Sequence, residues 1–129
     1  MNATAADARV VNVTMRNVSI EVSGGGQYAD AAANADFAGP DFSGRHVCPS
    51  YGLYLRNLHQ SRIEGLRLAF VGNDDRPAII LDRCNGVSFV GKTMLQRGRA
   101  IQYDVGLRNS TAVSLPPQVK TCQYPQCIF

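Results

Sequence analysis

The residues best suited to acid–base chemistry are two adjacent carboxylates, Asp74 and Asp75. A pair of carboxylates can divide the work of a general acid and a general base. This pair lies between Gly-Asn and Arg-Pro, which are residues that favour a turn. We therefore predict a solvated turn at Asp74 and Asp75 and not a catalytic pair.

A third acidic candidate, Glu64, follows Arg62 and Ile63 in a stretch that alternates between apolar and polar side chains. Such alternation is typical of a strand with one buried face. We predict that Ile63 points inward and that Arg62 and Glu64 point outward. His59 is predicted to lie in an exposed turn, where it would not act as a base.

The four cysteines show no Cys-x-x-Cys spacing, and the two histidines, His46 and His59, are far apart. This pattern does not resemble a zinc site, and we predict neither a metal nor a cofactor. Cys122 and Cys127 have four residues between them and could close a small disulfide loop. Free or buried thiols are an equal alternative.

The composition of the 129-residue chain is that of one globular unit. The net charge is +3 and the cations are spread along the chain, so we predict no nucleic-acid partner, which would need a basic stripe. No apolar run approaches the roughly 18 residues of a membrane span, so we predict no membrane partner. Residues 1–8 lack the cationic and apolar regions of a signal peptide, and the localisation stays undecided.

The chain repeats an apolar pattern with a period of 26 residues (79 − 53 for Leu53 and Ile79). The matched sets are Leu53/Ile79/Val105, Leu55/Leu81/Leu107, Leu58/Cys84/Ser110 and Ile63/Phe89/Leu115, with Gly65/Gly91 and Leu68/Met94 matched over one step. An internal period of this length is typical of solenoids, propellers and arrays.

The local pattern selects among these architectures. Leu53–Arg56 and Ile79–Asp82 alternate with a two-residue period, which favours strands. Strands that stack coil on coil would place matched side chains in interior rows. The sequence therefore predicts an all-β fold, a right-handed parallel β-helix of about three to four coils. Arg56, Asp82 and Arg108 are predicted to form an outward row with charges of alternating sign.

An earlier segment, residues 9–22, follows the same pattern at a larger separation. Met15 and Ile20 match Ile63 and Leu68 at a distance of 48 residues (63 − 15). The additional separation is taken up by residues 23–50, a stretch rich in Gly, Ala and Asp without an apolar period, which predicts a long loop. Loops of this length are uncommon and often functional, although a tolerated surface insertion is equally consistent with the sequence.

The long loop carries several candidate side chains. They are His46 with three nearby aspartates, Asp30, Asp36 and Asp41, and three aromatic residues, Tyr28, Phe37 and Phe42. The aromatic residues would either line a sugar groove or pack back onto the coils. A metal-binding or acid–base role is not predicted for His46.

Residues 1–129 are thus predicted to form a single partial β-helix. Its parts are a first coil segment (9–22), a long inserted loop (23–50), stacked coils (51–115) and a C-terminal tail or cap (116–129). Coiling is predicted to end at Pro116 and Pro117, which cannot donate the hydrogen bonds of a β ladder. The N-terminal side has no comparable cap, so we expect the isolated chain to self-associate, aggregate or fold only marginally through that face.

Four runs occur in a distinctive order: Val10–Val22, Gly24–Gly26, Pro49–Leu58 and Asp75–Asp82. With these landmarks, residues 9–95 resemble the C-terminal coils of glycoside hydrolase family 28, the polygalacturonase-like proteins. The resemblance implies a right-handed β-helix in a parent protein that is secreted or periplasmic. It also implies a pectic polysaccharide substrate whose O-glycosidic bonds are hydrolysed with inversion.

The resemblance further implies a catalytic pattern of Asn-Thr-Asp, Asp-Asp, His-Gly and Arg-Ile-Lys, in that order. This chain has only the acidic pair Asp74-Asp75 and an Arg62-Ile-Glu64 that carries glutamate instead of lysine and precedes the pair. We therefore predict no catalytic, cofactor-binding or metal-binding residue in this chain and expect the catalytic coils upstream of Met1.

Two functions remain as predictions. The first is the C-terminal scaffold portion of a pectin-directed glycoside hydrolase, with this chain inactive by itself. The alternative is a non-catalytic carbohydrate-binding or structural β-helix repeat module. The two differ in whether the catalytic motifs are encoded in frame before Met1.

Overall fold

The computed structural model describes residues 8–27, 48–124 and 127, and within them the chain is all-β without a helix. The strands are β1 (Val10–Val11), β2 (Thr14–Val22), β3 (Leu53–Arg56), β4 (Leu58–Phe70), β5 (Ile79–Asp82), β6 (Asn85–Leu95), β7 (Val105–Arg108) and β8 (Thr121–Gln123). The all-β class predicted from the alternation is confirmed.

The strands form two parallel sheets. In the long-strand sheet, β4 pairs with β1, β2 and β6. In the short-strand sheet, the order is β3-β5-β7-β8. From β3 to β7 the chain alternates between the two sheets, so each new strand lies beside the previous strand of its own sheet. Parallel neighbours require a crossover connection, and here a strand of the other sheet forms part of that crossover.

The register of both sheets follows the sequence repeat. Leu53 pairs with Ile79, and Ile79 pairs with Val105, as the 26-residue period predicts. Met15 pairs with Ile63, as the 48-residue separation predicts. Four further predicted pairings are also confirmed: Leu55/Leu81, Leu81/Leu107, Ile20/Leu68 and Ile63/Phe89. Apolar side chains repeated at one register position pack into a continuous interior.

One predicted match in the long-strand sheet is wrong. Leu68 pairs with Leu95 and not with Met94, because β6 has one extra residue in a β-bulge at Gly91 and Lys92. Since side chains alternate along a strand, this shift leaves Met94 outside, where it is 46% exposed, and packs Leu95 against the core. The apolar pattern did not reveal the shift because both candidate partners are apolar.

Within the described residues, the core is covered on both sides in the middle of the stack and only on one side at its N-terminal end. In β4, Ile63, Leu66 and Leu68 are each 1% exposed. Their partners in β2 pack against the same core but are only partly buried. Among the described residues, β2 pairs with β4 alone, so its other edge has no neighbouring strand.

The bends between strand segments also stack. Residues with positive φ form three sets at the repeat spacings: Asn57/Arg83/Asn109, Asn12/Gln60/Gly86/Ala112 and Asn17/Gly65/Gly91. Glycine adopts this left-handed conformation freely, and asparagine tolerates it better than most residues. A Cβ at Gly65 would lie 3.0 Å from Asn17 Oδ1 directly beside it. The repeat therefore fixes the bends as well as the interior.

The tail contributes to the short-strand sheet. Thr121 of β8 pairs with Val105 of β7, so strand pairing continues beyond the prolines where coiling was expected to end. Cys122 and Cys127 form a disulfide bond, which decides between the two alternatives for these cysteines. Cys127 packs in a small second apolar cluster with Ile101 and Tyr103.

Candidate functional site

The turn between β4 and β5 holds a fully buried carboxylate, Asp74, which is 0% exposed. The Arg76 side chain donates to both Asp74 oxygens, from Nε to Oδ1 at 2.8 Å and from Nη2 to Oδ2 at 2.7 Å. The Arg76 and Gly26 backbone amides donate to the same carboxylate. The predicted solvated turn is therefore wrong for Asp74, because Arg76 and two amides replace the water.

The ionisation of Asp74 follows from these contacts. Burial raises the pKa of the Asp74 carboxyl, but the hydrogen bonds from Arg76 outweigh burial and hold the pKa below its usual value. A general acid of glycoside hydrolysis needs a raised pKa, so that it carries a proton near neutrality. Asp74 has the opposite shift and acts as a charged structural anchor.

The neighbouring carboxylate, Asp75, has different partners. Its Oδ1 accepts from the Ala100 amide at 2.9 Å, and its Oδ2 accepts from Asn73 Nδ2 at 3.0 Å. The Asn73 side-chain carbonyl in turn accepts from the Arg99 amide. Asp75 thus joins this turn to the turn of the next repeat, and the two adjacent aspartates do not act on a common partner.

The turn also fixes both described ends of the predicted long loop. The Gly25 amide donates to the Asn73 carbonyl at 2.7 Å, and the Asp75 amide donates to the Gly26 carbonyl at 3.0 Å. On the other side of the loop, Arg76 Nη1 donates to the Cys48 carbonyl at 3.1 Å. We call residues 73–76 the anchor turn, because its Asp74–Arg76 ion pair connects three segments that are distant in sequence.

A second ion pair lies one repeat later. Arg97 donates to Asp104 from Nε at 3.0 Å and from Nη2 at 2.8 Å, and the Lys120 amide donates to the same carboxylate. The hydrogen bond to Asp104 raises the pKa of Arg97. Sequence reasoning missed this pair, because no motif links two charges seven residues apart across a turn.

The predicted charge row on the short-strand sheet has the expected register, with Arg56 opposite Asp82 and Asp82 opposite Arg108. The row is nevertheless not a solvated surface, since Asp82 is 1% exposed. Tyr54 donates its hydroxyl to Asp82 Oδ2 at 2.8 Å, while Arg56 Nε and Arg83 Nε lie 3.9 and 3.8 Å from the carboxylate. The contacts of Asp82 with the two arginines are thus longer than its hydrogen bond with Tyr54.

This row leaves polar groups incompletely satisfied. Asp82 Oδ1 and Arg56 Nε are buried without a hydrogen-bond partner. Burial, reinforced by the hydrogen bond to Asp82, raises the pKa of Tyr54 far above its usual value, so the phenol stays protonated and donates. Buried charges that are only partly paired are costly and often mark functional sites.

The outer face of β4 agrees with the prediction for Arg62, Ile63 and Glu64. Ile63 is buried, while Glu64 lies outside between Arg62 Nε at 2.6 Å and Arg16 Nε at 3.0 Å. His59 pairs in register with Asn85, but it lies within a strand and is half-buried, so its predicted exposed turn is wrong.

The two cysteines outside the disulfide, Cys48 and Cys84, lie against backbone or hydroxyl oxygens of the fold. The Cys84 thiol is buried, donates to the Leu55 carbonyl at 3.3 Å, and has its pKa raised by burial to about 11. A thiol with such a pKa carries almost no thiolate at neutral pH and is a poor nucleophile. Cys48 Sγ lies 3.7 Å from Ser50 Oγ.

The loop candidates, His46 and the acidic and aromatic residues of 28–47, lie outside the described residues. In the part of the chain that the structure does describe, no three histidine, cysteine or acidic side chains are grouped to hold a metal ion. Within that same part, no helix is long and apolar enough to span a membrane.

Comparison with known proteins adds no relative: no protein-family model, no curated protein and no solved structure matches the chain. Every acidic side chain among the described residues contacts a cation or accepts a hydrogen bond: Glu21, Glu64, Asp74, Asp75, Asp82 and Asp104. The buried members of this set, Asp74, Asp82 and Asp104, are in contact with arginine side chains and have structural roles.

Proposed function

We propose that the chain is a right-handed parallel β-helix and forms the C-terminal scaffold portion of a pectin-directed glycoside hydrolase. The observation that carries the proposal is the common register of the two sheets: from β3 to β7, residues 26 apart pair in parallel, and the offset becomes 27 only after the bulge in β6. This register is what stacked coils require. The resemblance of residues 9–95 to polygalacturonase-like proteins supplies the substrate class and the inverting hydrolysis.

A general rule of chain geometry supports the right-handed winding. Parallel strands of one sheet that are joined through a crossover are almost always connected in the right-handed sense. The connections from β3 to β5 and from β5 to β7 both pass through the long-strand sheet. Two successive crossovers of this kind make a winding coil.

The partners of the carboxylates favour a scaffold role for this chain more than a role as the active site. Asp74 and Asp104 are each bound by a guanidinium, and Glu64 is bound by two. An inverting mechanism needs one protonated and one ionised carboxyl roughly 6.5–9.5 Å apart with water between them. In this proposal the catalytic coils precede Met1.

The open edge of β2 fits the same proposal. In the longer protein, a preceding coil would pair with β2 and bury Val18 and Ile20, as β2 and β6 on either side of β4 bury Leu66 and Leu68. In the isolated chain, the edge would instead pair with a second copy. We expect light scattering to give a mass above that of the monomer, and a stable monomer at high concentration would contradict this part.

A non-catalytic carbohydrate-binding or structural β-helix module is the second candidate. The partnered state of the described carboxylates favours it too, because a binding module needs no general acid. In this second candidate, the Arg56–Asp82–Arg108 row, of which Asp82 is buried, would serve recognition.

The reading frame upstream of Met1 separates the two candidates. The proposal expects an in-frame continuation with Asn-Thr-Asp, Asp-Asp, His-Gly and Arg-Ile-Lys, and reducing-end release from polygalacturonate by the longer product. The chain by itself should release none. A ribosome-binding site directly before Met1, with no such motifs in frame, would favour the module and overturn the hydrolase proposal.

A further inference from the structure

The outer face of the long-strand sheet carries a shallow groove where its strands bend. Ser19, Arg67 and Met94 form one row across β2, β4 and β6. Beside this row lie the left-handed bend residues Asn17 and Gly65, and the groove they line measures about 250 Å³. A second depression, of about 360 Å³, adjoins it and shares Arg67 and Met94. The two form one open trough.

The β-bulge in β6 places a cation at this groove. Lys92 is the extra residue that shifts the register, and it is exposed and lines the groove. Bulges re-aim side chains and often occur beside functional sites. Among the described residues, no carboxylate is paired with Lys92.

The second cation of the groove, Arg67, is only weakly held. Its Nη1 lies 3.4 Å from Ser19 Oγ, and its Nη2 lies 3.9 Å from Glu21. Both members of this ion pair are about half exposed, and such pairs contribute little because water screens them. An incoming carboxylate can therefore replace Glu21 at the guanidinium.

The floor and rim of the groove suit a ring with an apolar face. Gly65 has no side chain to fill the bend, and Met94 is 46% exposed beside it. A polarisable thioether adapts its shape to a ligand surface. Asn17 and Ser19 add hydrogen-bonding groups at the edge of the groove. Two cations, an apolar floor and polar edges together match a sugar ring that carries a carboxylate.

We propose that this groove binds a segment of a carboxylated glycan, with Lys92 and Arg67 contacting its carboxylates and Met94 contacting the apolar face of a sugar ring. The site lies on the opposite sheet from the Arg56–Asp82–Arg108 row. The choice of a galacturonate chain as the ligand rests on the proposed function, whereas the carboxylated sugar is argued from the groove alone.

Isothermal titration of the chain with oligogalacturonate at low salt tests the site. The double variant Arg67→Gln/Lys92→Gln should weaken binding by about tenfold, since two charge-assisted contacts are lost. Lys120→Gln, which removes an exposed lysine directly before β8 of the other sheet, should weaken binding by no more than about twofold. Thermal melting of all variants checks that they remain folded, and substitution of exposed side chains should leave the midpoint unchanged.

Three ligands define the chemistry. Methyl-esterified oligogalacturonate keeps the sugars but loses the charge, and polyglutamate keeps carboxylates but has no sugar rings. Both should bind at least about tenfold more weakly than oligogalacturonate if charge and ring are both recognised. Equal binding by the double variant, equal loss in Lys120→Gln, equal binding of either control ligand, or no binding at all would overturn the proposal. None of these outcomes bears on the reading frame upstream of Met1, so the proposed function stands or fails separately.

Discussion

Strands β2 and β4 have the same inward pattern but different environments. Ile20 of β2 and Leu68 of β4 lie in adjacent strands at matched positions. Leu68 is 1% exposed because β4 has neighbours on both sides, whereas Ile20 is only partly buried at the end of the stack. The comparison teaches that in a stacked fold, the neighbours of a strand, and not its own sequence, decide how much its side chains stabilise the protein.

The largest expected effect comes from truncating the matched pair. Leu68→Ala should reduce the free energy of unfolding by about 4 kcal/mol, because it leaves a cavity in a part of the core that neighbouring strands cover on both sides. Ile20→Ala removes a side chain of the same carbon number, but should cost about 1–2 kcal/mol, since water already reaches it. Urea denaturation at a concentration where the chain is monomeric measures both values. Equal costs would show that the N-terminal end is as closed as the middle.

The next effect concerns the anchor turn, which connects the end of β2 to the segment between β4 and β5. Asp74→Asn should cost about 3 kcal/mol, because it removes the charge of a fully buried carboxylate that accepts hydrogen bonds from the Arg76 guanidinium and from two backbone amides. The Asp75→Asn substitution is the matched control and should cost less, since Asp75 is only half-buried.

Hydrogen exchange sharpens this prediction. Asp74 holds the Gly26 amide beyond the end of β2, so Asp74→Asn should speed exchange in Thr14–Val22 more than in Leu58–Phe70. Equally accelerated exchange in both strands would mean that the anchor turn stabilises the whole fold and not β2 in particular.

The smallest expected effect is the pH dependence of the same contact. The pKa of Asp74 is lower in the folded chain than in the unfolded chain, where it is about 3.9. Its contribution to stability is therefore complete above about pH 4 and is lost as the pH falls through the folded pKa. The stability difference between the wild type and Asp74→Asn, measured by urea denaturation, should narrow below pH 4. A gap that stays constant down to pH 2 would contradict the assigned ion pair.

The sequence predicted the parts of the fold that depend on periodicity. The rows through Leu53, Ile79 and Val105 were recoverable because interior positions of stacked strands must repeat in apolar character. The shift from Met94 to Leu95 was not recoverable, since an inserted residue between two apolar neighbours leaves the pattern intact.

The charged clusters were predicted less well than the core. Asp74 and Asp82 both look like solvated residues in the sequence, yet both are buried. Their burial depends on which cations and hydrogen-bond donors the fold brings near them. Arg76 packs back on Asp74, and Arg56 and the Tyr54 hydroxyl pack on Asp82. The repeat predicted that Arg56 lies opposite Asp82, but it did not predict how deeply the Asp82 side chain is buried.

The parallel register at a spacing of 26 residues is the central claim, and backbone nuclear Overhauser effects test it most directly. The account predicts cross-strand contacts between protons of Ile79 and Val105, of Leu81 and Leu107, and of Ile63 and Phe89. It also predicts no cross-strand contacts on the free edge of β2 in the monomer. Contacts at another spacing, or the close Hα–Hα contacts of antiparallel strands, would contradict the stacked arrangement and both proposals built on it.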